Sequence, residues 1–207
     1  MYRPPHFRED RLDVLHALMR AHPLATLVTA GPAGIVANHI PFLIEDGGEH
    51  GVLHAHLARA NGQLEALRAG AEALVIFQGP QAYISPSWYA LKAETHKVVP
   101  TWNYVTAHCW GVPRVIDDAD WIRDQIGRLT RSQEQGRLEP WAVEDAPADF
   151  IAAQTRGIAG LELPIARIEG KWKISQNRSE EDRHGVIRGL TVENNPEMAH
   201  LVAKGPQ

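Results

Sequence analysis

The chain is cut into short β-rich runs by tight turn residues, and this punctuation limits its possible folds more than any other feature. LATLVTA (24–30), GIVANHIPFLI (34–44), GVLHAHL (51–57), LVIFQG (74–79), QAYIS (81–85) and TWNYVTAHCWGVPRVI (101–116) are rich in β-branched and aromatic residues. Gly31-Pro32 reads as a hairpin turn, and Glu45-Asp46-Gly47-Gly48 as the next one. Helical periodicity appears at the flanks. Leu12, Leu15, Leu18 and Met19 mark a helix from Glu9 to Arg20 that Pro23 closes. ADWIRDQIGRLTRSQEQ sets Trp121, Ile122, Ile126 and Leu129 on one helix side, and 147–155 is a shorter helical stretch. Strand character returns over 157–175, and 179–190 reads as a helix with Ser179 above an acidic first turn. The expectation is a mainly β fold with flanking helices (α+β), a compact β-barrel in one domain over 1–207. Its core spans about 24–175, with the N-terminal helix at 9–20 and a C-terminal helical tail at 179–203. A sandwich would suit such runs equally.

Composition narrows the chemistry. Cys109 is the single cysteine and has no partner for a disulfide, so the fold relies on its core. MYRPPHFRED lacks an apolar segment of the signal-peptide kind, and no run approaches the ~20 apolar residues of a membrane span. A cytoplasmic, soluble protein is expected. The formal net charge is −4 with neither sign in long blocks, and no helix-turn-helix pattern is found, which disfavours direct DNA binding. His54 and His56 share one face of a strand, yet no carboxylate or cysteine motif of ligand spacing joins them, so no metal is predicted. His108 and Cys109 are strand neighbours facing opposite ways, which rules out a Cys–His pair and leaves no catalytic nucleophile assigned. No dinucleotide or P-loop glycine pattern occurs.

Residues 74–111 carry the densest chemistry. They hold seven of the fourteen aromatics, namely Phe77, Tyr83, Trp88, Tyr89, Trp102, Tyr104 and Trp110, interleaved with hydrogen-bonding and cationic side chains. Flat rings beside convergent polar groups suit a planar, polar-edged, anionic ligand, although such rings also fill plain cores. Four clusters stand out. At 54–63 a strand meets a helix with Arg59 and Asn61 at the junction, a natural phosphate site or, equally, a capped turn with a solvated arginine. At 83–92, Ser85, Trp88 and Tyr89 lie close to Lys92. At 99–104, Thr101 and Asn103 could read an imide-like edge, since an amide both donates and accepts. At 169–185, Lys171, Lys173 and Arg178 surround Ser175 and Gln176. The connection Pro86–Pro100 is long enough to expect a functional or mobile loop.

Taken in order, MYRPPHF, ANHIPF (37–42), HLARAN (56–61), FQGPQAYISPSWY (77–89), VPTWNY (99–104) and GKWKISQNR (170–178) resemble the PaiB family of FMN-binding negative transcriptional regulators, over residues 1 to about 190. The resemblance implies an FMN-binding split β-barrel like that of pyridoxamine-phosphate oxidase, acting as a homodimer. It implies FMN contacts at His39, His56, Arg59, Asn61, Ser85, Trp88, Lys92, Thr101, Trp102, Asn103, Lys173 and Gln176, with Arg59 at the phosphate and Lys92 or Lys173 as a further cation. HLARANGQ has Gly62 where relatives tend to carry proline. A flavin-dependent oxidoreductase or flavin reductase, and a haem-binding barrel using His39 or His56, are the alternative functions.

Overall fold

A computed structural model describes residues 1–31 and 34–205. The expected Gly31-Pro32 turn falls partly outside the described residues. In chain order the elements are β1 (Arg8–Glu9), α1 (Leu12–Ala21), β2 (Leu24–Gly31), β3 (Gly34–Pro41), β4 (Leu43–Glu45), β5 (Val52–Ala58), α2 (Gln63–Arg68), β6 (Ala73–Ile84), α3 (Leu91–Thr95), β7 (Thr101–Gly111), β8 (Arg114–Ile116), α4 (Ala119–Glu134), α5 (Ala148–Arg156), β9 (Ile158–Pro164), β10 (Arg167–Lys173), α6 (Glu180–Val192) and α7 (Pro196–Lys204). The chain divides into two compact units. A terminal unit comprises Met1–Leu18, Gln78–Ala107 and the described residues from Glu169 on; a central unit comprises Met19–Phe77 and His108–Ile168.

In the central unit β2 pairs antiparallel with β3, Thr26 opposite His39, and on its other side with β6, Thr26 opposite Ile76. A four-stranded antiparallel sheet runs β4-β5-β9-β8, with β5 paired on both edges. Leu53, Ala55, Leu57, Leu161 and Leu163 are buried from that sheet, and Phe42 meets Phe77 edge to face at 6.1 Å. Asp118 caps α4 by accepting from the Trp121 N–H at 2.7 Å, and α4 buries Ile122 and Gln125. In the terminal unit the strand order is β1-β10-β7-β6, and α6 and α7 bury Val186, Leu190, Met198 and Val202. Ser179 caps α6 through the Asp182 N–H at 3.2 Å, as its sequence position predicts.

Several boundaries move. The first helix starts at Leu12, not Glu9, because Glu9 belongs to β1 and its buried carboxylate accepts from the Arg11 N–H and guanidinium. The run 34–44 splits where the Phe42 N–H turns to the Pro23 carbonyl. The run 101–116 splits before Pro113, which has no N–H to give a ladder. The stretch 157–175 is two strands, parted where Ile165 and Ala166 donate to Gly51 and Trp110. Conversely, 74–79 and 81–85 form one strand. The buried side chains are Ala73, Val75 and Phe77 before Gly79-Pro80 but Ala82 and Ile84 after it, so the pattern slips by one residue rather than stopping.

Candidate functional site

The expected contacts fall into both units, and each unit arranges its own differently. His39, His56, Arg59 and Asn61 belong to the central unit, whereas Ser85, Trp88, Lys92, Thr101, Trp102, Asn103, Lys173 and Gln176 belong to the terminal unit.

In the central unit β5 ends at Ala58, the Arg59 N–H donates to Gly157, and the Asn61 N–H donates back to Ala58 at 2.9 Å. The Asn61 Oδ1 accepts from the Gln63 N–H at 2.9 Å, so the start of the six-residue α2 is already satisfied. Gly62 sits at φ −61°, a value a proline ring would hold. The anion argument therefore rests on guanidinium groups rather than on a helix end. Arg59 donates through Nε to the Arg156 carbonyl at 3.1 Å and through Nη1 to Asp117. Arg68 grips the same carboxylate with two bonds of 2.8 and 2.9 Å. The Arg68 and Arg59 guanidinium groups hold the Asp117 carboxyl down at about 2. Arg59, Asp117, Ile122, Arg123, Thr155 and Arg156 border a cavity of about 490 Å³. His56 donates from Nδ1 to the buried Gln125 Oε1 at 2.8 Å, while His39 stands exposed on β3. Among the described residues no group of three or more His, Cys, Asp or Glu could hold a metal.

Gln63, which sequence reading treats only as the start of a helix, is a buried hub. Its Nε2 lies 3.1 Å from the Leu27 carbonyl, 3.1 Å from Thr29 Oγ1 and 3.3 Å from the Val36 carbonyl, and its Oε1 accepts from Asn38 at 2.9 Å. The segments ANHIPF and HLARANGQ are thus tied together by an amide pair, which gives both a structural role.

In the terminal unit two side-chain pairs join the start of β7 to the end of β10 and to Ser175, two residues beyond it. Lys173 Nζ donates to Thr101 Oγ1, and Asn103 Nδ2 donates to Ser175 Oγ at 2.9 Å. Asn103 is 1% exposed, and its Oδ1 is buried without a partner among the described residues. Ser175 is held at φ +64°, a left-handed backbone rare for serine. Burial, then repulsion from Lys171 and Arg178, lowers the Lys173 ammonium below its ordinary value. Trp102 is 52% exposed and meets Tyr83 edge to face at 6.2 Å. Gln176 is engaged locally, accepting from the Ile174 N–H at 2.8 Å and donating to the Trp172 carbonyl at 2.5 Å.

The connection 86–100 contains a 3₁₀ turn at Pro86–Trp88, capped by Ser85, followed by α3. It is pinned to α6: the Leu91 N–H donates to Asp182 at 3.1 Å, and the Trp88 indole fills a notch at Gly189, where a methyl group would lie 2.2 Å from the ring. Trp88 therefore works as an anchor of this loop. Among the described residues Lys92 donates to Ser87 Oγ, at 3.1 Å. Burial pushes the Cys109 thiol far up, in keeping with an inert core cysteine.

Arg68 and Asp117 were missed by sequence reading, since they lie 49 residues apart and neither belongs to a motif. The acidic pair Asp117-Asp118 at the end of a strand was the available hint.

Residues 1–167 match the family model described as "Putative FMN-binding domain". The protease synthase and sporulation protein PAI 2 of Bacillus subtilis is 30% identical over 98% of this chain and 96% of its own length. An uncharacterised protein of Emericella nidulans is 35% identical over 92% of this chain and 90% of its own length. Among solved structures, the FAD and haem binding protein from Mycobacterium smegmatis superposes with a TM-score of 0.59 at 22% identity, covering 80% of this chain and 73% of that one. This likeness shows the fold, a mainly antiparallel split β-barrel with flanking helices. On the family match and the near full-length Bacillus relative, the chain belongs to the PaiB-type FMN-binding domain family, whose cofactor is FMN.

Proposed function

We propose that Arg59, in the central unit, is an FMN phosphate contact, that the Thr101–Asn103–Lys173 group, taken by itself in the terminal unit, suits the polar edge of a flavin ring, and that the protein acts as a cytoplasmic, homodimeric negative regulator. The observation that carries the reading is Asn103: a buried carbonyl acceptor without a protein partner is costly unless something else donates to it, and a flavin imide offers an N–H. Thr101 lies two residues away on the same strand face and bonds Lys173, so a cation stands by that acceptor. Burial first and then the charge of Lys171 and Arg178 lower Lys173, and an anion offsets both, which suits a group whose reduced ring is anionic. When bound, FMN supplies reversible electron transfer; these side chains bind, orient and tune it. Ser85, Trp88 and Lys92 hold the neighbouring loop, Trp102 offers a stacking surface, Gln176 fixes the turn after β10, Asn61 fixes the turn around Arg59, and His39 and His56 complete the proposed contacts.

The regulatory reading is supported by the Bacillus relative's being named a protease synthase and sporulation protein. The net charge of −4 favours an effect exerted without direct DNA contact. Among the described residues no helix is long and apolar enough to cross a membrane. A second reading, a flavin-dependent oxidoreductase, is favoured by the exposed Tyr83–Trp102 pair, on which a planar substrate such as a nicotinamide could rest.

The test is an FMN titration followed by flavin fluorescence. Saturable quenching at micromolar protein, weakened in Arg59→Ala and Asn103→Leu, is expected; unaltered binding in both variants would remove these contacts from the site. Steady NAD(P)H oxidation by the loaded protein would move the second reading to first place.

A further inference from the structure

We propose that Asp117 is an internal counter-ion that makes the Arg59–Arg68 pair selective for a dianionic phosphate monoester over monoanionic and neutral ligands. This rests on the reading of Arg59 as the FMN phosphate contact and adds Arg68 and Asp117 to it. Two guanidinium groups share one carboxylate, Arg68 through two bonds and Arg59 through one, so the triad keeps a net charge of +1. Arg59 Nη2 has no partner among the described residues, and the group opens on the 490 Å³ cavity that Arg123 and Arg156 also border. Of the triad, Arg59 and Asp117 line that cavity while Arg68 stands behind the carboxylate, so positive charge and a free donor are present but half the pair is already answered from within the protein.

That arrangement sets a threshold for any incoming anion. A monoanion that displaces Asp117 exchanges one negative charge for another and loses the advantage of a carboxylate tethered in place. A phosphate monoester dianion brings twice the charge and three acceptor oxygens, enough to engage both guanidinium forks. Riboflavin, which lacks the phosphate, gains nothing from the pair.

The pH dependence follows from which group titrates. Facing Asp117 are Arg59 from the turn after β5, Arg68 from α2, and Arg123 and Arg156, which border the shared cavity from α4 and α5; Asp118 is engaged as the cap of α4. The arginines stay cationic, and Asp117 stays ionised down to about 2. A phosphate monoester gives up its second charge near pH ~6. Between pH 7.5 and 5.0 the change therefore belongs to the ligand, which falls from a dianion to a monoanion against an unchanging competitor.

The experiment measures FMN and riboflavin affinity by fluorescence quenching at pH 7.5 and 5.0, using the full chain, Asp117→Asn, Asp117→Ala and Arg59→Ala. For the unaltered chain FMN should bind about tenfold more tightly at pH 7.5 than at 5.0, and riboflavin equally at both. Both Asp117 variants should tighten FMN at pH 5.0 by roughly three- to tenfold, flattening the pH profile, with riboflavin unchanged. Asp117 variants that weaken FMN or leave it unchanged, while Arg59→Ala still weakens it, would overturn the counter-ion and leave the phosphate contact standing. An Arg59→Ala variant with undiminished FMN affinity would overturn both.

Discussion

Of the buried side-chain amides, Gln63 in the central unit and Asn103 in the terminal unit differ in how completely their oxygens are answered, while Gln125 in the central unit leaves a donor, its Nε2, without a partner among the described residues. Gln63 in the central unit is 2% exposed, with partners at both its oxygen and its nitrogen. Asn103 in the terminal unit is 1% exposed; its nitrogen is bonded, while its oxygen has no partner among the described residues. Burial is equal, so burial does not separate structure from function here. On the proposed reading satisfaction does. A fully answered amide stitches β2, β3 and α2, whereas the half-answered one holds the acceptor proposed to meet FMN.

The terminal unit should be as firmly packed as the central one, and the largest expected effect tests that at the Trp88 anchor of α6. A methyl group at Gly185 would lie 1.8 Å from the Trp88 carbonyl, and one at Gly189 would lie 2.2 Å from its indole. Neither neighbour is a flexible chain end. Gly185→Ala or Gly189→Ala should destabilise by about 3 kcal/mol, the upper part of the overpacking range, through loss of the loop anchor. For a chain of this size that is a melting-temperature loss of roughly 6–12 °C. A melt within a degree or two of the original would show that the loop has room to shift, and the expectation of equally firm packing would fail.

Removing the satisfied amide comes next. Gln63→Leu strips the Leu27 carbonyl and Thr29 hydroxyl of their donor and leaves Asn38 Nδ2 unanswered, costing about 2 kcal/mol, read as a lower urea midpoint. Asn103→Leu should behave otherwise. It loses the bond to Ser175 but also removes an acceptor that was already unsatisfied, so stability should change by less than about 1 kcal/mol while FMN affinity falls about tenfold. The reverse pattern, lost stability with intact FMN affinity, would make the two amides the same kind of residue and erase the distinction.

What the sequence made legible divides along the same line. Runs, caps and flanking helices were readable because they are local: Ser179 above an acidic turn, Asn61 before α2, and the helical spacing of Leu12, Leu15, Leu18 and Met19 all announce themselves within a few residues. Thr101, Asn103 and Lys173 were named as candidates, and the structure brings Thr101 to Lys173 and Asn103 to Ser175. The degree of satisfaction was not readable. It depends on contacts 25 to 72 residues apart, such as Asn38 with Gln63 and Asn103 with Ser175, and no spacing rule encodes which acceptor is left over. Strand interruptions misled for a related reason: Gly79-Pro80 looks like a stop, yet the strand continues with its side chains out of phase.

Titration carries the comparison to the charged groups. Lys173 has its folded value lowered from 10.5 by burial and by Lys171 and Arg178, so the unfolded chain holds that proton more firmly. Stability should rise as pH climbs from the lowered value toward 10.5, and Lys173→Met should abolish that rise; a profile unchanged by the substitution would mean that the charge is already compensated.

Asp117 is lowered as well, so stability again rises with pH, but here the charged form is the favoured one and the effect is weaker. Its folded value is depressed from 3.8 to about 2 by Arg68 and Arg59, so its contribution is complete above the unfolded value and disappears as pH falls through about 2. The carboxylate and both guanidinium groups remain 40–47% exposed, and solvent screening reduces such pairs to less than about 1 kcal/mol. Without ligand, Asp117→Asn should therefore cost a few tenths to about 1 kcal/mol at neutral pH and nothing at the acid limit, read from urea midpoints between pH 7 and 2. A loss as large as that of Gln63→Leu would mean that this surface triad supports the fold as the buried amide does, and satisfaction alone would then decide stability wherever it occurs.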